Sequence, residues 1–213
     1  MKHISVSELA ENKGITEVLH FTTNTGFLGM VSKGQVLPNS KLHKEDTLAF
    51  IFQQNSQTRK EKNPKWLDYI NLSISRLNHE FFDYSQYIHR NKDIYWVVLS
   101  FSPEILSHQG VYFTTTNNIY PSCIRGQDTE GFEAMFKDPI QGKFQQNIFR
   151  GDSHLPSWTT CEQAEVLYPD GLPFEYLNRI YVCNEETKPC VSAQMMLYNH
   201  SIEIVVAPGV FNR

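Results

Sequence analysis

Four groups of polar residues have types and spacings that chemistry can use. His20 and Thr22 lie two apart in LHFTTN (19–24). On an extended strand they project from one face, where an imidazole and a hydroxyl can together grip a ribose or an amide. A hydrogen-bonded core histidine beside a β-forming threonine fits the same pattern. Glu165 lies in EQAEVLYP (162–169), with Glu162 its nearest neighbouring carboxylate. A strand carboxylate facing a cleft can accept a sugar hydroxyl or move a proton; the plainer reading is a solvent-facing glutamate on an edge strand. Arg59 sits among Lys60, Lys62 and Lys65 in a polar stretch. Its guanidinium offers a planar fork to a phosphate, although a charge run is more often a solvated surface. Ser73, Ser75, Arg76 and Asn78 in NLSISRLN (71–78) form the fourth group, with hydroxyls at alternate positions, as on a half-exposed strand.

Several familiar chemistries are missing. The sequence has no GxxxxGK[ST], no helix-opening GxGxxG, and no HExxH, GxSxG or HxE…PCxxC. P-loop nucleotidases, Rossmann dehydrogenases, zincins, α/β-hydrolases and zinc deaminases are thereby set aside. The four cysteines, Cys123, Cys161, Cys183 and Cys190, form no CxxC pair, which argues against zinc fingers and a disulfide framework. No metal is expected. The opening residues lack an apolar core, so no secretory signal is expected, and no run of about 18 apolar residues suggests a membrane span. Four reduced cysteines in a cytosol are the expectation.

The elements that must position these groups are short. With 213 residues, 40% apolar and 13% aromatic, the chain can bury one core, and a single domain over 1–213 is expected. The net charge of −4 does not suit a dedicated duplex binder, yet a local basic stretch can still touch nucleic acid. Strands are predicted at 17–22, 69–75, 94–102, 111–115, 164–168, 179–183 and 202–207. A helix opening at Asn24 as its cap carries Phe27, Leu28 and Val31 at helical spacing, with Gly34 as the left-handed stop. A further helix is predicted around 191–199. Residues 53–66 read as an exposed basic loop, since Pro64 interrupts any helix. Residues 117–161 are weakly patterned, as functional segments often are. Strands dominate and helices are short, which makes the fold class α+β.

Taken in order, these segments resemble the DarT family, toxins that transfer ADP-ribose from NAD onto nucleic-acid bases. The resemblance runs from about Val18 to about Val182. It begins with LHFTTNTGFLGMVSKGQVLPNS and continues through SQTRKEK, DYINLSISRLN, WVVLSFSPEIL and VYFTTTNN. It ends in TTCEQAEVLYPDGLPFEYLNRIYV, where a glutamate lies inside an Ala-Glu-Val-Leu strand. The resemblance implies an ADP-ribosyltransferase-like split β-core with short helices around an NAD cleft. By carry-over, Glu165 would be the catalytic glutamate, and Arg59 would hold the NAD phosphates or activate the acceptor base. His20, Thr22 and Asn24 would bind NAD, with Ser73 and Ser75 beside them, and Arg76 and Asn78 would face the acceptor. Thymidine-modifying members carry Pro-Arg-Ser-Pro-Met after the corresponding strand; here Ser75-Arg76-Leu77-Asn78-His79 stands instead. The acceptor base is therefore left open, and so is single-stranded DNA against single-stranded RNA.

That chemistry needs an unpaired base at the sugar carbon that nicotinamide leaves. Tyr120, Phe132, Phe136, Phe144 and Phe149 in the irregular segment could stack such a base. Arg125, Lys137, Lys143 and Arg150 could touch phosphates. Core filling and plain solvation explain the same residues. The resemblance further implies a toxin–antitoxin or anti-phage setting, with an antitoxin that either sequesters the enzyme or, as a macrodomain hydrolase, reverses its mark. Two alternatives remain: transfer onto protein side chains, and a catalytically inactive NAD-binding module.

Overall fold

The structure is a computed structural model describing residues 4–42, 64–198 and 200–212. In chain order its helices are α1 (Val6–Asn12), α2 (Asn24–Lys33), α3 (His79–His89), α4 (Asp128–Ala134), α5 (Thr187–Met195) and α6 (Pro208–Phe211). Its strands are β1 (Val18–Thr23), β2 (Gln35–Val36), β3 (Tyr69–Ile74), β4 (Trp96–Phe101), β5 (Tyr112–Thr114), β6 (Arg125–Gly126), β7 (Ile140–Gln141), β8 (Asn147–Ile148), β9 (Glu165–Pro169), β10 (Leu172–Pro173), β11 (Leu177–Val182) and β12 (Glu203–Val206). The predicted α+β mixture is present, and the main strands fall within a residue or two of the sequence expectation.

Eight strands form one sheet in the order β12-β11-β4-β1-β3-β9-β5-β6. Every neighbouring pair is antiparallel except β11 with β12. The sheet is split in its middle. β1 pairs with β4 along its whole length, Val18↔Phe101 to Thr23↔Trp96. Against β3 it pairs only at Val18↔Ile74 and Leu19↔Ser73. Beyond Leu19 the two halves part, and the strand ends carrying His20 and Thr22 border the opening.

Alternation along β1 feeds two cores. Val18 belongs to the larger cluster, with Phe27 and Val31 of α2, Val6 and Ala10 of α1, and Val166 of β9. Leu19 belongs to a smaller one, with Leu77, Phe82, Val98, Tyr181 and Phe211, so α3 and α6 cover that face.

Three local differences from the sequence reading have physical reasons. β1 runs one residue further than predicted, so Thr23 rather than Asn24 caps α2, its hydroxyl accepting the Gly26 N–H at 3.3 Å. Gly34 ends that helix at φ 64°, as expected, and donates to Met30 and Val31. α5 begins at Thr187, well before the predicted start, because Asn184 accepts both the Thr187 N–H (2.9 Å) and its hydroxyl (2.8 Å). Pro189 is tolerated there because it lies in the first turn, where no intrahelical N–H bond is lost. α3 went unpredicted: its buried stripe is His79, Phe82, Ser85 and His89, so hydrophobic periodicity barely marks it.

The predicted irregular segment 117–161 does contain structure. It holds β6, α4 and the small β7–β8 hairpin, joined by turns. The start of α4 presses on β6 so closely that a Cβ on Gly131 would meet the Gly126 carbonyl carbon at 2.3 Å. The predicted basic loop is outside the described residues apart from its end, where Pro64–Asp68 forms a 3-10 turn.

Candidate active site

Glu165 opens β9 and is 7% exposed. Its register partner is Thr114 at the end of β5. The Thr114 hydroxyl accepts the Glu165 N–H at 2.9 Å and reaches the Thr116 carbonyl at 2.8 Å, which fixes the backbone at this strand end. The chain then turns, and the Asn118 N–H donates to Glu165 Oε2 at 2.8 Å. Asn118 is itself buried. Arg125 donates from Nε to its side-chain oxygen and from a terminal nitrogen to its carbonyl. A third guanidinium bond reaches the Cys123 carbonyl at 3.2 Å, and the group lies over the Trp66 ring. Tyr120 stands beside Gln163 and near Glu165. Burial first, then the carboxylate of Glu80, pushes its phenol above the ordinary tyrosine range.

Sheet register brings other predicted residues to the same region. Leu72 pairs with Val166, so Ser73 stands level with Glu165 one position beyond the last paired residues. Ser73 also pairs with Leu19, next to His20. The His20 ring is bonded through Nδ1 to the Asn71 carbonyl at 3.1 Å. A carbonyl only accepts, so Nδ1 carries the proton and a neutral ring keeps a lone pair at Nε2. Burial holds the His20 pKa below its ordinary value, which favours that neutral ring. Thr22 is buried two positions on, on the same face of β1. Asn24 begins α2; its N–H donates to the Tyr95 carbonyl (2.9 Å), and its carbonyl accepts Gln194 Nε2 (3.2 Å).

The turn after β3 is under local strain. Ser75 takes φ 59°, unfavourable for a side-chain-bearing residue. Its N–H reaches the Glu17 carbonyl at 3.2 Å, while its buried hydroxyl has no partner among the described residues. Arg76 stacks on Trp158 at 4.6 Å and donates to the Thr159 carbonyl at 3.3 Å. Burial lowers its pKa, opposed by the nearby Glu162 carboxylate.

Three residues read as acceptor contacts are engaged in hydrogen bonds within the protein. Asn78 caps α3, its Oδ1 accepting the Phe81 N–H at 3.1 Å, while Glu162 accepts the His79 N–H at 2.6 Å at the same helix end. Arg125 grips Asn118, as above. Arg150 donates to the carbonyls of Trp158 and Leu155, each at 2.9 Å, and to the Thr160 hydroxyl at 3.1 Å. A sequence shows the charge of such residues but not the carbonyls a later turn presents to them. Arg59 is outside the described residues.

The aromatic candidates separate too. Phe132 is fully buried, and Phe136 packs on the core under Lys13. Tyr120 is half-buried. Phe144 and Phe149 are 83% and 66% exposed, Phe144 lying at the tip of the β7–β8 hairpin beside Lys143. Asn118, Gln163, Trp66 and Trp158 carried no assigned role in the sequence reading. The asparagine pair closing VYFTTTNN is the one signal that pointed to Asn118. Among the described residues, no three His, Cys, Asp or Glu side chains cluster as a metal site would require.

Comparison with known proteins supplies the family. A profile described as "DarT: ssDNA thymidine ADP-ribosyltransferase, DarT" matches residues 19–212. No curated protein matches the chain. Among solved structures, DarT of Thermus sp. 2.9 in complex with carba-NAD+ superposes with a TM-score of 0.64 at 13% identity, over 92% of this chain and 98% of that one. The same protein in complex with ADP-ribosylated ssDNA gives 0.58 at 13% identity, over 93% and 97%. Thermosipho africanus DarTG in complex with ADP-ribose gives 0.62 at 13% identity over 92% of this chain, which spans about half (51%) of the DarTG chain. At such identities these structures show the shared fold, the split core expected from the resemblance. With the profile spanning nearly its whole length, the chain belongs to the DarT family of ssDNA thymidine ADP-ribosyltransferases.

Proposed function

We propose that this protein transfers ADP-ribose from NAD to a base of single-stranded DNA. The observation that carries the reading is Glu165, buried at a strand end beside the split of the sheet and held through Oε2 by the Asn118 N–H. The bond from nicotinamide nitrogen to the ribose C1″ breaks, and its electron pair leaves with nicotinamide. Positive charge grows on the ribose, and the Glu165 carboxylate stabilises it by accepting a ribose hydroxyl. A nitrogen or oxygen of the base then bonds C1″ and gives up its proton to Glu165 or solvent. His20, with its lone pair at Nε2, and Thr22 hold NAD on the β1 side, and Ser73 lines the row between β1 and β9. Ser75 and Asn24 border the same cleft. Arg59, outside the described residues, is assigned to hold the NAD phosphates or to help activate the acceptor base.

On the acceptor side we assign residues 117–161, with Phe144 and Phe149 as stacking surfaces, and Arg76 on its Trp158 platform. Such an enzyme acting freely would mark its host's own DNA. We therefore read it as the toxin of a pair in the bacterial cytoplasm, and a defence role against phage is consistent with that. Its antitoxin partner either sequesters it or removes the mark as a macrodomain hydrolase. Among the described residues no helix is long and apolar enough to cross a membrane.

The test supplies labelled NAD to the protein and to Glu165→Ala. Single-stranded DNA of each base, single-stranded RNA, duplex DNA and bulk protein are offered in parallel. Glu165-dependent label on single-stranded DNA is expected, and the labelled homopolymer names the base. Label on RNA or on protein alone would replace the acceptor. NAD binding with no label anywhere would leave only the binding-module reading.

A further inference from the structure

We infer that Arg125 is a positioning residue for Glu165, acting through Asn118 rather than touching nucleic acid. This rests on the reading of Glu165 as the carboxylate that stabilises the ribose. The chain of contacts is short and directional. Arg125 seizes both carbonyl oxygens of Asn118, one on the side chain and one on the backbone. Its remaining terminal nitrogen is tied to the Cys123 carbonyl at 3.2 Å. The guanidinium carbon lies over the Trp66 ring, 5.8 Å from its centre, and Trp66 is itself packed edge-on against Tyr112 at 5.3 Å and tilted against Tyr69 at 5.2 Å. Asn118, held at two points and buried, presents its N–H to Glu165 Oε2 at 2.8 Å.

The geometry requires an arginine. Two acceptors on one residue need two parallel donors in a fixed plane, which a guanidinium has and an ammonium lacks. The bond from Asn118 fixes Oε2, and with it the direction in which the carboxylate faces. A carboxylate that must meet one ribose hydroxyl loses efficiency steeply when its direction drifts, since a displacement of about 1 Å can cost roughly 100-fold in rate. Arg125 also sits where a phosphate-binding arginine would be sought, so the two roles must be separated by experiment.

They differ in what each loses. Arg125→Lys keeps the charge and loses the fork; Arg125→Gln loses both. Asn118→Ala keeps the N–H to Glu165 but removes one of its two anchors. Each is assayed for NAD hydrolysis without acceptor, for transfer to single-stranded DNA, and for DNA affinity against salt. A positioning role predicts that hydrolysis and transfer fall by the same factor, roughly 10- to 100-fold. That loss should lie in kcat, with KM for NAD and the salt slope of DNA binding unchanged. Lys should not rescue, Asn118→Ala should lose less than Arg125→Gln, and Arg125→Gln should lose nothing further when added to Glu165→Gln. If transfer alone falls while hydrolysis is normal, or if Lys restores activity and Gln reduces the salt slope, Arg125 contacts the acceptor and the inference is overturned. A wild-type protein without NAD turnover, or one indifferent to Glu165→Gln, overturns the reading of Glu165 and this inference with it. Should Arg125→Gln fail to fold, Arg125→Lys and Asn118→Ala carry the same comparison.

Discussion

The His20 ring bridges the split of the sheet, its Nδ1 bonded to the Asn71 carbonyl at 3.1 Å just past the last β1–β3 register pair, Leu19↔Ser73. The backbone ladder stops there and a side chain continues it. The bond fixes the tautomer, so the imidazole that ties the halves together carries its proton on Nδ1 and a lone pair on Nε2.

A buried ring held neutral in this way makes stability depend on pH. Burial holds the His20 pKa below its ordinary value of 6.5. Between the two values the unfolded chain binds a proton that the folded protein does not, so stability rises with pH across that window. The neutral-ring contribution is complete above pH 6.5 and is lost as pH falls toward the folded pKa. The melting temperature should therefore drop on acidification below about pH 6.5. His20→Asn, whose amide can still donate to Asn71, should show a smaller drop, and NAD affinity should weaken in the variant at every pH. Thermal melts of both proteins from pH 4.5 to 8 make the comparison, and identical pH profiles would refute it.

Asn78 tests the reassignment of an acceptor residue to a helix cap. Asn78→Ala leaves the Phe81 N–H without its acceptor at the start of α3. Loss of such a cap costs about 1 kcal/mol, or roughly 2–4 °C in melting temperature for a chain of this size. Asn78→Ser should recover most of it, because serine caps as well. KM for single-stranded DNA should stay unchanged in the serine variant, whereas an acceptor contact would raise it.

Phe144 offers the converse case. Its ring is 83% exposed at a hairpin tip, so removing it leaves no cavity. Phe144→Ala should keep stability within about 0.5 kcal/mol. Stacking of one base is worth about 1–3 kcal/mol, so affinity for single-stranded DNA should fall roughly 10-fold. NAD hydrolysis without acceptor should be unaffected. Fluorescence anisotropy with a labelled oligonucleotide reads the first effect, and nicotinamide release reads the second.

Much of the frame was readable in the sequence because burial leaves a period. VLHFTT, YINLSI and WVVLSF alternate or run apolar as half-buried and central strands do. Gly34 could be read because a left-handed helix stop demands glycine. α3 was hidden because Ser85 and His89 occupy its buried face, each satisfied inside the helix: Ser85 donates to the Phe81 carbonyl and His89 bonds the Ser85 carbonyl. The partner of Glu165 was hidden for a different reason. Asn118 lies 47 residues earlier, and only the β5–β9 pairing makes them neighbours. Arginines were the least legible: Arg125 and Arg150 turn inward onto carbonyls that no local pattern announces.

Arg150 gives that last point a measurable consequence. Its guanidinium ties together the turn from Leu155 to Thr160, which also carries Trp158, the platform under Arg76. Arg150→Gln strips donors from two carbonyls and a hydroxyl. Bonds from charged groups contribute about 1.5–3 kcal/mol each, but the exposed Leu155 carbonyl can pair with water instead, so a net loss of about 2 kcal/mol or more is expected. If Arg150 neutralised a phosphate instead, the same change would lower the dependence of DNA affinity on salt, by about 0.7 in the log–log slope for a single strand. The structural assignment predicts a lower melting temperature with that slope unchanged. Transfer would fall only as far as the turn loosens and releases Arg76. Arg150→Lys separates the possibilities further: a phosphate contact survives it in large part, whereas one ammonium cannot span three acceptors, so the melting temperature should fall almost as far as with Gln.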